Sequence, residues 1–294
     1  LLIGDMLPGE GLYELLKELG IKLETQRADR DIIMPDYDMI KPNEFGGKYW
    51  RREKLKALFP EDAEGIDEYY KVYDHVMYLR WLGRQPQTAV TKIRTTLAML
   101  KLRKYASMNA DEFTRHFFKS EKICTLFTGI FADFCADPKE VQGLGVIFMN
   151  FESAFDMRIP VEEGRHYYGG YVYFTGGCQK LPEALAAYIE NHGGTITYGS
   201  IVDKVLIQQG TAKGIRLSDG REVAADMVVG CGAGKDFFEK CVGLEHLSQE
   251  YRQILSIYRP MEAVFMVHLG VDYNPMDYLR SPLTYCYGMY DLSA

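Results

Sequence analysis

A glycine pair, an amphipathic helix and a second glycine pair follow one another between positions 176 and 194, and no other feature restricts the possible folds as tightly. Gly176-Gly177 opens a segment in which Leu181, Leu185, Tyr188 and Ile189 share one helical face, and Gly193-Gly194 closes it. β-like runs follow at 195–199, 201–208, 212–218 and 222–230, with a turn at Ser218-Asp219-Gly220. A helix that hands over to a hairpin and then to the apolar run Ala225-Asp226-Met227-Val228-Val229 predicts a small α/β segment.

The remainder is organised differently. Residues 8–20 predict a helix with Leu12, Leu15, Leu16 and Leu19 on one stripe and Gly20 as its stop. Short β-like runs broken by Pro35, Pro42 and Gly46-Gly47 occupy 22–49. From 50 to 158 the pattern is helical. Ile66, Tyr69, Tyr70, Tyr73, Val76, Met77 and Leu82 recur at helical spacing, and a second segment runs from Gln87 to Leu102. A third spans Ser120 to Phe134 with Ser120-Glu121 as its cap, and a fourth follows Asp137-Pro138. Residues 166–174 read as extended and aromatic, 234–242 and 247–257 as helices, and Met261 to Leu269 as a strand.

Composition excludes several function classes. With 294 residues the chain can bury a sizeable core, in one or two domains. A formal charge of −7 leaves no basic excess to neutralise a phosphate backbone, so no nucleic-acid partner is expected. The basic and aromatic stretch 48–54 reads either as a solvated helix start or as a peripheral contact with anionic lipid. No apolar run approaches the ~20 residues that span a bilayer. The cysteines (Cys124, Cys135, Cys178, Cys231, Cys241 and Cys286) form no CxxC pair, which fits a reducing, cytoplasmic setting. With the histidines scattered as well, no metal site is expected. No Gly-x-Ser-x-Gly elbow anchors a hydrolase triad.

Gly230-Cys231-Gly232-Ala233-Gly234-Lys235 follows an apolar run and precedes a helix, as a dinucleotide fingerprint would, but Lys235 stands where its third glycine belongs. A tight turn passing close to a cofactor held mainly by other residues fits this stretch better, because glycine permits close backbone approach. The aromatic clusters at 69–81 and 166–174 either form core or line a lipophilic tunnel. His166 either faces such a cavity or is a hydrogen-bonded structural histidine. Met77, Met99 and Met149 add adaptable apolar surface.

Taken in order, Gly176-Gly177 with Leu181 and Leu185, Gly193-Gly194-x-Ile196, Val202-x-x-Val205, Gly214-Ile215, Asp219-Gly220 and Ala225-Asp226-x-Val228-Val229 resemble the phytoene desaturase and carotenoid isomerase family. That family lies within the wider flavin amine-oxidase-like fold. Residues 8–20 are similar to the helix that follows the flavin-binding N-terminus of those enzymes. The resemblance implies an α+β fold: a partial FAD-linked α/β portion plus a substrate domain with a mixed sheet and a helical bundle. By this analogy 1–20 is a remnant of the FAD-domain connection, 21–171 a mostly helical substrate domain, 172–240 the FAD-domain-like segment with its hairpin, and 241–294 a return to the substrate domain. Val202 matches the position whose backbone meets the adenine end of FAD, and Gly230, Cys231 and Gly232 match the turn near the cofactor. Tyr167, Tyr168, Tyr171 and Tyr173 are the substrate-side candidates.

The resemblance also implies a function, namely hydride transfer between flavin and an apolar polyene or isoprenoid substrate, in desaturation, saturation or isomerisation. Such chemistry needs no protein nucleophile, and the cofactor carries the hard step. The strand-GxGxxG-helix that grips the pyrophosphate is absent, as is the glycine-rich segment that caps the flavin ring, so the chain is expected to correspond to the middle of a longer enzyme, to bind FAD weakly and to be inactive alone. Two alternatives stay open: an amine or protoporphyrinogen-type flavin oxidase, and a non-catalytic lipid-binding or interaction module.

Overall fold

Helical spacing in the first two-thirds of the chain and period-two spacing after residue 200 resolve into two units in a computed structural model, which describes residues 4, 6–134, 136–258 and 265–290. One unit comprises 1–188 and 262–294, the other 189–261.

The first unit opens with α1 (Gly11–Glu18), which ends where Gly20 takes a positive φ of 71° and Ile21 N–H bonds Leu16 O. Short strands follow at β1 (Thr25–Arg27), β2 (Arg30–Ile33) and β3 (Asp38–Met39). The helices are α2 (Trp50–Leu58), α3 (Ala63–Arg84), α4 (Ala89–Leu102), α5 (Ala110–Phe117), α6 (Glu121–Thr128), α7 (Gly145–Met149) and α8 (Glu152–Phe155). The hairpin β4 (Glu162–Glu163) and β5 (His166–Tyr167), then β6 (Val172–Phe174), complete this run, and α9 (Lys180–Asn191) carries the chain across the boundary at 188. β6 pairs antiparallel with β1, and β2 lies between β3 and a parallel strand at Leu283–Cys286.

Tyr69, Tyr70 and Tyr73 are core residues. Tyr69 alone meets the rings of Phe113, Phe117, Phe118 and Phe127, with centroids 4.7 to 6.3 Å away. Inside this aromatic core lies an ion pair. Arg51 and Glu152 have side chains 0% and 1% exposed, and Arg51 Nη1 donates to Glu152 Oε1 at 2.9 Å. Tyr70 OH donates to the same oxygen at 2.9 Å, and the Glu152 amide donates to Tyr73 OH at 3.0 Å. The Arg51 guanidinium lies 3.4 Å from the centroid of the Phe155 ring. Burial pushes the Glu152 carboxyl upward, while Arg51 and Tyr70 pull it back down.

The second unit is a meander of β7 (Val202–Gln208), β8 (Thr211–Leu217) and β9 (Glu222–Ala224), followed by α10 (Gly234–Asp236), a π-turn over Phe237–Val242 and α11 (Gln249–Ile257). Gln209 and Gly210 both adopt positive φ, which suits the twist of a two-residue hairpin turn. At Gly214 a Cβ would sit 2.1 Å from Val223 O, so only glycine lets β9 approach β8. Val205, Leu217 and Leu255 are the buried apolar residues among those described in this unit.

Several expectations change. Ser120 makes no side-chain cap; instead the buried Asp62 accepts from the amides of Lys119 at 2.7 Å and Ser120 at 2.9 Å. After Asp137-Pro138 there is a turn and no helix until Gly145, because Pro138 O and Val141 O both accept from the Ala110 amide and tie the segment to α5. The α5 capping box of Asn109 and Glu112 supplies a helix not singled out by apolar periodicity. Residues 195–199 and 225–230 are not strands, since a run of apolar residues extends a sheet only where a neighbour satisfies its backbone. Residues 265–269 are likewise irregular, and 261–264 lie outside the described residues.

Two outcomes are expected in urea denaturation. Asp62→Ala strands two amides and loses about 2 kcal/mol or more, whereas Ser120→Ala changes less than about 0.5 kcal/mol. Arg51→Met leaves a buried carboxylate unpaired and costs about 3–5 kcal/mol, and adding Glu152→Leu restores at least half of that loss.

Candidate functional site

Tyr167 and Tyr168 leave β5 into a lattice of arginines. Tyr167 is 2% exposed, and its hydroxyl donates to Glu10 Oε1 at 2.6 Å. The Arg84 guanidinium lies 3.9 Å from its ring centroid and that of Arg80 5.1 Å. Arg80 and Arg84 stand four residues apart on α3, which puts both on the face that meets β5. Tyr168 is 0% exposed; Lys48 donates to its hydroxyl at 3.2 Å, and its ring stacks on Tyr73 and His166. Burial pushes both phenols upward, Tyr167 further through its bond to Glu10, so both stay protonated. Arg80 is lowered by the same desolvation.

Tyr171 is half-buried and stacks on Phe151, centroid to centroid at 6.0 Å, and Arg80 sits 4.3 Å from the same Phe151 ring. Tyr173 is half-buried on β6 and donates to Gln26 Oε1 at 2.7 Å across the β1–β6 pair. The structure thus gathers Tyr167, Tyr168 and Tyr171 around Arg80 and sets Tyr173 on the sheet beside them. Sequence reading found the tyrosines and missed the arginines. The i,i+4 spacing of Arg80 and Arg84 beside an aromatic strand was the available signal.

The cofactor-side candidates lie in the second unit. Val202 opens β7, pairs with Leu217, and accepts a hydrogen bond from the Cys241 thiol at 3.8 Å. Gly230, Cys231 and Gly232 form an exposed irregular loop before α10. A Cβ on Gly230 would meet the Phe237 ring at 2.6 Å, whereas nothing lies within 4 Å of the one built on Gly232. The π-turn therefore links the two features, with Phe237 against Gly230 and Cys241 against Val202. For a dinucleotide these residues offer a close backbone edge, and the glycine at 230 is already filled by Phe237. Among the described residues no glycine-rich strand-to-helix turn cradles a pyrophosphate, so no reaction step follows from these residues.

Other chemistry is sparse. Among the described residues no three His, Cys, Asp or Glu side chains converge as a metal site. Burial lifts the Cys124 thiol to about 11, which removes it as a nucleophile. A cavity of about 530 Å³ is lined by Asp38, Ile40, Lys41, Pro42, Trp50, Lys54 and Arg280. In the stretch 48–54, Trp50 and Arg51 are buried, Lys48 pairs with Glu163, Arg52 with Glu53, and Lys54 with Asp38. None of the described helices is long and apolar enough to cross a membrane.

Comparison with known proteins gives this geometry its context. The profile of the family described as flavin containing amine oxidoreductase matches residues 5–272. Prolycopene isomerase 1 of an Oncidium hybrid cultivar is 27% identical over 224 residues, covering 74% of this chain and 36% of the relative. The neurosporene-forming phytoene desaturase of Cereibacter sphaeroides is 38% identical over 237 residues, covering 75% of this chain and 41% of the relative. The chain therefore spans well under half the length of these two relatives. In fold it resembles a Pyrococcus furiosus protein with a TM-score of 0.52 at 16% identity, covering 88% of this chain and 52% of that one. A variant of putrescine oxidase gives a TM-score of 0.51 at 12% identity, covering 87% and 51%. A family profile that runs through nearly the whole sequence, on a fold shared with these structures, makes this chain a member of the flavin-containing amine oxidoreductase family.

Proposed function

We propose that the chain is part of an FAD-dependent oxidoreductase that moves a hydride between flavin and an apolar polyene or isoprenoid substrate. The observation that carries this reading is the family match together with its relatives, which include prolycopene isomerases, phytoene desaturases and a 4,4'-diapophytoene desaturase. Flavin supplies the redox chemistry in such an enzyme, and the protein binds, orients and keeps water out.

In this reading residues 1–20 and 172–240 belong to the flavin side, and 21–171 with 241–294 to the substrate side. Val202 and the Gly230–Gly232 loop border the nucleotide. The segment holding Tyr167, Tyr168, Tyr171 and Tyr173 borders the substrate. Tyr171 and Tyr173 keep part of their rings accessible for that role, while the buried Tyr167 and Tyr168 hold the segment in place. Met227 and Val229, 78% and 73% exposed, and Phe265, Met266, Val267 and Leu269 form apolar surface of the kind that further protein covers. This supports the reading that the chain works as one portion of a larger flavoprotein and is inactive alone.

Saturating FAD is expected to leave the melting temperature of this chain unchanged, because no pyrophosphate grip among the described residues contributes binding energy. A longer product of the same reading frame is expected to purify with flavin absorbance. A clear upward shift with FAD overturns the first expectation, and a colourless longer protein overturns the assignment of the flavin side.

A further inference from the structure

α4 carries an apolar face that points away from the protein. Thr91, Thr95, Ala98 and Leu102 make up its inner side, with Ala98 and Leu102 buried and the Ala98 carbonyl bonded to His75 Nε2 at 2.9 Å. Val90, Ile93, Leu97 and Leu100 are each more than half exposed. At 3.6 residues per turn these four fall within a sector of about 80° on the opposite side. They form a ridge along a helix about 21 Å long. Its start is fixed by the Thr88 hydroxyl, which accepts from the Thr91 amide at 3.2 Å, so the ridge belongs to an ordered helix.

The charge around that ridge is one-sided. Between Gln85 and Asn109 the sequence holds Lys92, Arg94, Lys101, Arg103 and Lys104 and no acidic residue, in a chain whose net charge is −7. Arg94 and Lys101 flank one edge of the ridge; Lys92 flanks the other, with Arg103 in the turn after the helix. None of these four forms an ion pair among the described residues, unlike Lys48, Arg52 and Lys54 of the earlier basic stretch. Lys104 lies over the Tyr105 ring beside a cavity lined by Glu61, Glu64 and Glu68, and is left out of the count.

We propose that α4 is an interfacial docking helix that lays Val90, Ile93, Leu97 and Leu100 into the surface of an anionic lipid bilayer. An apolar sector bordered on both sides by unpaired cations matches the depth profile of such a surface, with acyl chains below and negative headgroups at the rim. A protein partner with an apolar groove would satisfy the ridge alone. The cations on both edges favour a surface that is negative on every side, and each contributes roughly a fivefold gain in partitioning near anionic lipid. This surface stands independently of the flavin reading.

The test is co-sedimentation of the full chain with vesicles of phosphatidylcholine alone or mixed equally with phosphatidylglycerol. The wild type is expected to partition at least tenfold more strongly onto the anionic vesicles. Ile93→Glu with Leu97→Glu should lower that binding at least tenfold, with unchanged circular dichroism and melting temperature, since both side chains are exposed. Arg94→Glu with Lys101→Glu should abolish the preference for anionic lipid, whereas Lys213→Glu with Lys240→Glu should preserve it. Absence of wild-type binding overturns the proposal, as does binding that survives the Ile93 and Leu97 changes. So does a wild-type dimer without vesicle binding that those changes convert to monomer, because the ridge would then join two copies of the chain.

Discussion

The pair of Arg51 and Glu152 is the constraint around which the first unit is organised. It joins α2 to α8 across 101 positions of sequence and recruits hydroxyls from two successive turns of α3, those of Tyr70 and Tyr73. A charge pair enclosed by aromatic rings has no competing water, so its geometry must come from the fold. The Phe155 ring takes part, with Arg51 at 3.4 Å and Arg30 at 4.3 Å from its centroid. Arg30 also donates to Met149 O, and Arg27 donates to Ser153 O, so the segment around α8 is fastened by three arginines from different elements. Some polar atoms in this nest, among them Arg51 Nε and Glu152 Oε2, have no partner among the described residues. The helices are therefore held in register by directional contacts as well as by apolar contact.

How far the sequence disclosed this fold depended on whether the governing contacts were local. α1 with its stop at Gly20, the long α3, the α4 segment and the hairpin of β7 and β8 were all readable, because periodicity, turn chemistry and glycine placement act within a few residues. The cap supplied by Asp62 to residues 119 and 120 was not, since nothing near Ser120 points 57 positions back. The turn after Asp137 defeated a sound local rule for the same reason. Its carbonyls were already engaged by the Ala110 amide, and Gly143 packs with Phe113 at a distance that a Cβ would violate. α5 had a local signature, its capping box, that apolar spacing alone overlooked.

The candidate site divides along the same line. The family could be read from the residues between 176 and 229, since glycines and an apolar strand pattern leave marks in the chain itself. The arginine lattice behind Tyr167 and Tyr168 left only the i,i+4 spacing of Arg80 and Arg84 as a mark, and the partner of each hydroxyl left none, because a tyrosine beside a tyrosine has the same appearance whether its hydroxyl meets solvent, a ligand or Glu10. Val202 and Gly230 share a neighbour in the π-turn, a tertiary relation that no spacing between them encodes.

The two units differ in how much apolar material they enclose, and this bears on how the molecule comes apart. A unit whose enclosed apolar side chains, among the described residues, are Val205 and Leu217 of the meander and Leu255 of α11 gives up little when it opens, whereas the aromatic interior of the other unit opens only at the expense of its ion pair. Heating or denaturant should therefore dissolve residues 189–261 as a separate cooperative step, ahead of the rest, with fast amide exchange and early protease cleavage in that stretch. A single melting curve for this chain would then be the sum of two events, and a substitution would shift one half of it while leaving the other in place.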